Sequence, residues 1–183
     1  MGSFYTSHTL RGPTQEAVLA YLGSRSALVS KTDSEFTIVL DEACESQDTD
    51  ELSVLGRDLS AHFGCPVLAV LNHDSSVLFF ELYEEGKKSD EYNSLPSEID
   101  ESLGNSPMGG NAGRLAAALG ASDIEKIESA LRSEEYSSAD DRRVDIATAL
   151  GIPPHGVAVG FYSVSEDTAN PTISEGTYVS TVE

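Results

Sequence analysis

The stretch Val67-Leu68-Ala69-Val70-Leu71, opened by Pro66, constrains the fold more than any other part of the sequence. Successive strand residues point to opposite faces, so five apolar residues in a row make a strand that is hydrophobic on both sides. Such a strand belongs in the interior of a sheet covered from above and below. The run is also far short of the roughly 20 apolar residues that a membrane-spanning helix needs.

The rest of the chain supplies neighbours and covers for that strand. Phe4–Leu10 reads as a strand, and Gly12-Pro13 opens a helix with Val18, Leu19 and Leu22 on its apolar stripe and Gly23 at its end. Ala27–Val29 and Phe36–Leu40 are short strands around the polar turn Lys31–Ser34. Asp48 caps a second helix, Thr49–Phe63, which carries Leu52, Leu55 and Leu59 and stops at Gly64. After the central strand, Asp74-Ser75-Ser76 and Glu85-Gly86 turn the chain through Val77–Glu84 and Lys87–Tyr92. The order βα, ββ, α, βββ predicts an α+β fold: a mixed, largely antiparallel sheet with two helices, a split βαβ arrangement with an added hairpin over residues 1–94.

Residues 95–110 are acidic and rich in Pro, Ser and Gly, and read as a linker or long loop. Helical periodicity then takes over. Asn111–Leu119 ends at Gly120, Ser122 caps a helix bearing Ile124, Ile127 and Leu131, and Ser138 opens one bearing Val144, Ala147 and Leu150. Val157–Val164 reads as a last strand. Residues 111–165 are therefore expected to form a three-helix lobe that returns one strand and packs as one compact unit with 1–94. The polar tail 166–183 is expected to be loose.

Charge excludes whole classes of function. The 183 residues carry 31 acids against 11 bases, a formal net charge of −20. Nucleic-acid binding needs clustered Lys and Arg, and an anionic membrane surface repels such a chain. The acidity is uneven: residues 35–64 hold eight acids and one base, while residues 1–34 hold three bases and two acids. Part of the Asp41–Glu51 run is accounted for by helix capping. An acidic field speeds association with a basic protein, which is the partner class expected here. The same acidity also fits adaptation to a saline medium.

No basic segment followed by an apolar one opens the sequence, so no secretory signal is read and a soluble, cytoplasmic protein is expected. The two cysteines, Cys44 and Cys65, read as reduced thiols. The four histidines are scattered, so no metal site and no cofactor are expected.

Three segments carry a resemblance. Leu82–Ser94, with Glu84-Glu85-Gly86 and Asp90-Glu91-Tyr92-Asn93-Ser94, Gly109–Leu115 at a helix start, and Ala149-Leu150-Gly151-Ile152-Pro153 at a helix end, together resemble an uncharacterised bacterial protein family. The similarity spans roughly residues 60–165 and departs after Ser94, where the family commonly continues with an aromatic stretch. It implies a bacterial, intracellular, single compact unit and supplies no chemistry.

The candidate site residues are His73 and Asp74, at the end of the central strand, and Asp90, Glu91, Tyr92, Asn93 and Ser94 on the hairpin. Alternation places Asp90, Tyr92 and Ser94 on one face and Glu91 and Asn93 on the other. The competing readings are ordinary turn chemistry at His73-Asp74 and a charged edge strand at Asp90–Ser94 with Tyr92 over the core. The leading functional expectation is a non-enzymatic acidic binding protein. The alternative is a small-molecule-binding domain or small enzyme with a pocket between sheet and helical lobe, where His73 and Asp90 converge.

Overall fold

The computed structural model describes residues 2–165, 174 and 176–182. Its nucleus is β1 (Tyr5–Arg11), α1 (Gln15–Leu22), β2 (Ala27–Ser30), β3 (Phe36–Asp41), α2 (Thr49–Phe63) and β4 (Val67–His73). The strands lie in the order β4-β1-β3-β2, which is the split βαβ pattern. Beyond β4 the hairpin β5 (Val77–Glu84) and β6 (Lys87–Asn93) widens the sheet, followed by the two-residue β7 (Met108–Gly109). Beyond β2 the opposite edge is closed by β8 (Tyr178–Ser180). Every strand pair is antiparallel, so the expected mixed sheet is corrected to a wholly antiparallel one among the described residues.

The central strand behaves as its composition demands. Val67, Ala69 and Leu71 pack with Leu10, Val39 and the helices α1 and α2 on one face. Leu68 and Val70 pack on the other with Ile38, Leu40, Phe80 and three helices, α3 (Ala112–Leu119), α4 (Ile124–Arg132) and α5 (Ala139–Leu150). Leu52, Leu55 and Leu59 of α2 are all buried, and each contributes roughly 2 kcal/mol by leaving water. Gly56 brings that helix onto the sheet: a Cβ there would lie 3.0 Å from the Tyr83 ring and 3.2 Å from the Ala69 Cβ. Asp48 caps α2 by accepting from Asp50 N at 2.8 Å, and Gly64 ends it in the left-handed conformation.

Several local expectations are corrected. The cap of α1 is Thr14, so Pro13 precedes the helix. Asp123, not Ser122, caps α4, and Ile124 is exposed at its start. On α5, Val144 faces solvent while Arg142 and Arg143 lie in the buried face with Ile146, Ala147 and Leu150. The strand expected at Val157–Val164 does not form. Gly156 sits so close to Ile38 that a Cβ would approach its Cγ1 to 2.5 Å, and Ala158 takes φ of 56°. The chain therefore lies across the face of β3 and enters a short helix, α6 (Phe161–Ser165). The strand that returns is β8, inside the tail expected to be loose, and Thr177 beside it is buried and accepts from Lys31 N; residues 166–173, 175 and 183 of that tail lie outside the described residues. Among the described residues no helix is long and apolar enough to cross a membrane.

Candidate functional site

The residues singled out in the sequence divide into supports and surface. Asp74 accepts from Gly2 N at 3.1 Å and turns the hairpin with φ of 50°. Asp90 accepts from Asn111 N at 2.6 Å, fixing the approach to α3. Tyr92 is fully buried, stacks on Phe80, and donates to the Leu131 carbonyl at 2.8 Å. Ser94 Oγ accepts from Leu78 N at 2.8 Å. The expected alternation holds, with Tyr92 on the α3–α5 side and Glu91 opposite Glu81 on the α2 side.

His73 is exposed at the end of β4, edge-on to Phe4, and pairs with Val77, while Asp90 pairs with Leu82. Five residues of β5 and two strand spacings separate them by roughly 20 Å. The two do not share a site. Among the described residues no histidine forms an ion pair with a carboxylate, and no group of three His, Cys, Asp or Glu could hold a metal ion. Burial pushes the Cys65 thiol up to about 11 and the Cys44 thiol higher, which leaves both protonated and poorly nucleophilic at neutral pH.

What His73, Glu91 and Asn93 do share is a surface. Two hollows adjoin on the α2 side of the sheet. One, of about 330 Å³, is formed mainly by Phe79, Asn93, Pro96, Ile99, Leu103 and Met108. The other, of about 200 Å³, is formed mainly by Gln47, Leu71, His73, Val77, Phe79 and Ile99. Phe79 and Ile99 belong to both, so the hollows make one groove from the start of α2 to β7. Its apolar walls face solvent: Ile99 is 71% exposed, and Leu103 and Met108 are 47% exposed. Among the described residues Glu91 and Glu98 stand in the walls without a Lys or Arg, and Lys88 pairs with Glu91 at 2.5 Å from outside them. Exposed Asp48 and Asp50 flank one end of the groove in sequence, and Asp100 and Glu101 follow Ile99.

Local chemistry builds these walls. Asn93 Oδ1 accepts from Leu95 N, Pro96 starts a single 3-10 turn, and Ser97 N donates to Gly104 O, closing the segment into a compact loop. Gly109 places Met108: its φ is 72°, and a Cβ would fall 2.0 Å from the Glu91 carbonyl oxygen. Arg132 clamps the carbonyls of Gly109 and Gly110, each at 2.6 Å. At the other end Gln47, with φ of 64°, holds both its amide nitrogen and its amide oxygen buried without a hydrogen-bond partner.

A larger hollow of about 460 Å³ lies at the start of α5, rimmed by serines and Arg142. Most of its polar side chains are already engaged. Ser137 and Ser138 donate to Asp141, Ser106 donates to Glu134, and Arg142 is spent on Tyr92 and the carbonyls of Ala130, Leu131 and Ser133. It lacks the free convergent groups a binding site requires.

Sequence reasoning reached His73, Glu91, Tyr92 and Asn93 but missed Gln47, Phe79, Ile99, Leu103 and Met108. The available signal was Ile99 and Leu103 themselves, two large apolar residues four apart in an otherwise acidic, polar loop. Comparison with known proteins returns no match: no protein-family model, no curated protein and no solved structure is similar to this chain.

Proposed function

We propose that the chain is a non-catalytic binding protein whose groove takes a basic, apolar-anchored segment of a partner protein. The observation that carries this reading is the exposure of Ile99, Leu103 and Met108 around a hollow whose charged wall residues, among the described residues, are the acids Glu91, paired with Lys88 outside the wall, and Glu98. Apolar anchors in a central hollow supply affinity by leaving water, at about 25 cal/mol per Å². The surrounding carboxylates supply orientation and speed of encounter, and a net charge of −20 draws cations from a distance. The Gln47 amide, unpartnered among the described residues, carries an NH2 donor group and a carbonyl acceptor, the two functions that complement a peptide group.

The test is fluorescence anisotropy with a labelled amphipathic Lys/Leu peptide and a Glu/Leu peptide of the same pattern. The Lys/Leu peptide is expected to bind, with affinity falling steeply from low to high KCl. Ile99→Asp is expected to weaken it at least tenfold while circular dichroism stays unchanged. Equal binding of the Glu/Leu peptide, or indifference to Ile99→Asp, refutes the reading.

A further inference from the structure

Arg143 reaches from α5 onto the sheet and is 1% exposed. Its Nε and Nη2 atoms are both buried, and neither has a hydrogen-bond partner. These two N–H bonds are parallel and lie on one edge of the guanidinium, the edge that grips a carboxylate with two hydrogen bonds. The same molecule contains that arrangement in its occupied form. Arg25 gives Nε at 2.5 Å and Nη2 at 2.9 Å to the two oxygens of Asp41.

Among the described residues no carboxylate grips Arg143 in this way. Among the described residues it makes no ion pair, although the chain offers 31 acids. Tyr5 is the ionisable group that interacts with it electrostatically. The Tyr5 hydroxyl is itself buried without a fully formed hydrogen bond, and the Asp140 carboxylate beside it is the acceptor it turns towards. Asn72 pairs with Tyr5 in the sheet; its Nδ2 donates to Ser3 O and to Asp140 Oδ1, while its Oδ1 is buried without a partner. Asp140 precedes Arg143 by three residues on α5, on the same side of the helix. Two parallel donors, a hydroxyl and a carbonyl acceptor are thus buried without a formed hydrogen bond among the described residues, where β1 begins, β4 ends and α5 crosses them. A desolvated guanidinium without a counter-charge is strongly unfavourable unless something completes it.

We propose that the open edge of Arg143 is the seat for the carboxylate of a small ligand, with Tyr5 Oη donating a further hydrogen bond. Asn72 Oδ1 and the Asp140 carboxylate then face a donor on the same ligand, which fits an α-amino or α-hydroxy monocarboxylate. Sulfate and phosphate are disfavoured, because a dianion would sit beside Asp140 in a chain of net charge −20. The exposed way in is beside Gly2 and Ser3, held over the Asp74–Ser75 turn by a few hydrogen bonds. A short strap of this kind opens at low cost. The seat lies on the α5 side of the sheet, opposite the groove, and does not depend on it.

The test is thermal unfolding with glycine, acetate or sulfate at constant ionic strength, against NaCl. Glycine and acetate at about 100 times Kd are expected to raise Tm by roughly 5 °C, and sulfate is expected to do no more than NaCl. Arg143→Met, of similar reach but without donors, is expected to abolish the carboxylate shift. Arg143→Lys, which keeps the charge without the parallel edge, is expected to lose it at least tenfold in apparent affinity. Nitrogen-detected NMR of the Arg143 Nε–H in the wild-type chain needs no variant and is expected to show a resonance moved by glycine. No carboxylate-specific Tm shift together with an unmoved Nε–H resonance overturns the proposal, as does an equal shift by sulfate or one that survives in Arg143→Met.

Discussion

Arg142 donates through Nη1 to Tyr92 Oη at 3.0 Å, and both side chains close on the carbonyl of Leu131. Arg142 also holds the carbonyls of Ala130 and Ser133, so it terminates α4 from the neighbouring helix. Tyr92→Phe leaves the Leu131 carbonyl still satisfied and is expected to cost about 1 kcal/mol in urea unfolding. Arg142→Met strips several buried acceptors at once and is expected to cost about 3–5 kcal/mol. Equal losses in the two variants would mean that the tyrosine, not the arginine, carries the junction.

Gly109 ties this junction to the groove. With φ of 72° and the Glu91 carbonyl oxygen where a Cβ would have to lie, it tolerates no side chain. Gly109→Ala is expected to cost about 2 kcal/mol, release β7 and carry Met108 away from the groove. Binding of the Lys/Leu peptide should weaken in step with that loss; unchanged binding would remove Met108 from the surface that matters.

His8 sits at the centre of the sheet, fully buried, with Nε2 2.9 Å from the Leu52 carbonyl and Nδ1 without a partner. Burial holds its pKa below the ordinary 6.5. The unfolded chain takes up this proton near pH 6.5 and the folded chain only at lower pH. The contribution is therefore present above pH 6.5 and is lost as pH falls below it, by up to about 1.4 kcal/mol per pH unit. His8→Gln is expected to flatten the fall of stability between pH 6.5 and 5.5. Glu45, whose carboxyl burial pushes above its ordinary 4.5, acts in the opposite sense above pH 4.5 but equally in both proteins, so the readout is the difference between wild type and variant. Parallel pH profiles for wild type and variant would exclude His8 as the source.

Asp41 responds to acid in another window. Burial raises its carboxyl pKa, but the Arg25 bonds and charge and the Cys44 N–H outweigh that and hold it below the ordinary 3.8. The pair is stabilising above pH 3.8 and is lost as pH falls through the lowered value. Asp41→Asn is expected to cost about 2–4 kcal/mol at pH 7, with the gap to wild type narrowing below pH 4 in denaturant titrations. A constant gap down to pH 2.5 would show that the loss is steric rather than ionic.

What the sequence revealed follows from where its signals are local. Val67–Leu71 declared a strand covered on both faces, and Leu52, Leu55 and Leu59 with Asp48 and Gly64 declared α2, because each pattern is written within one turn or one strand. Val157–Val164 looked like a strand by composition but lies against Ile38, a contact set more than 100 residues away. Val144 and Arg143 exchanged expected places on α5, since a long polar side chain was buried in defiance of hydropathy. The groove was half legible: His73, Glu91 and Asn93 were noticed for their polarity, whereas Ile99 and Met108 matter because tertiary structure leaves them uncovered.

The edge pairing of β2 has a consequence in time. Ala27–Ser30 is made first of the pair, and its outer partner, Tyr178–Ser180, follows roughly 150 residues later. At ribosomal rates of about 5–20 residues per second, the nascent sheet presents an open, fully buried-in-the-end apolar edge for on the order of ten seconds. During that interval the chain is exposed to intermolecular pairing along β2 that the finished fold denies it. A strand that emerges roughly 150 residues later therefore acts as a seal on β2.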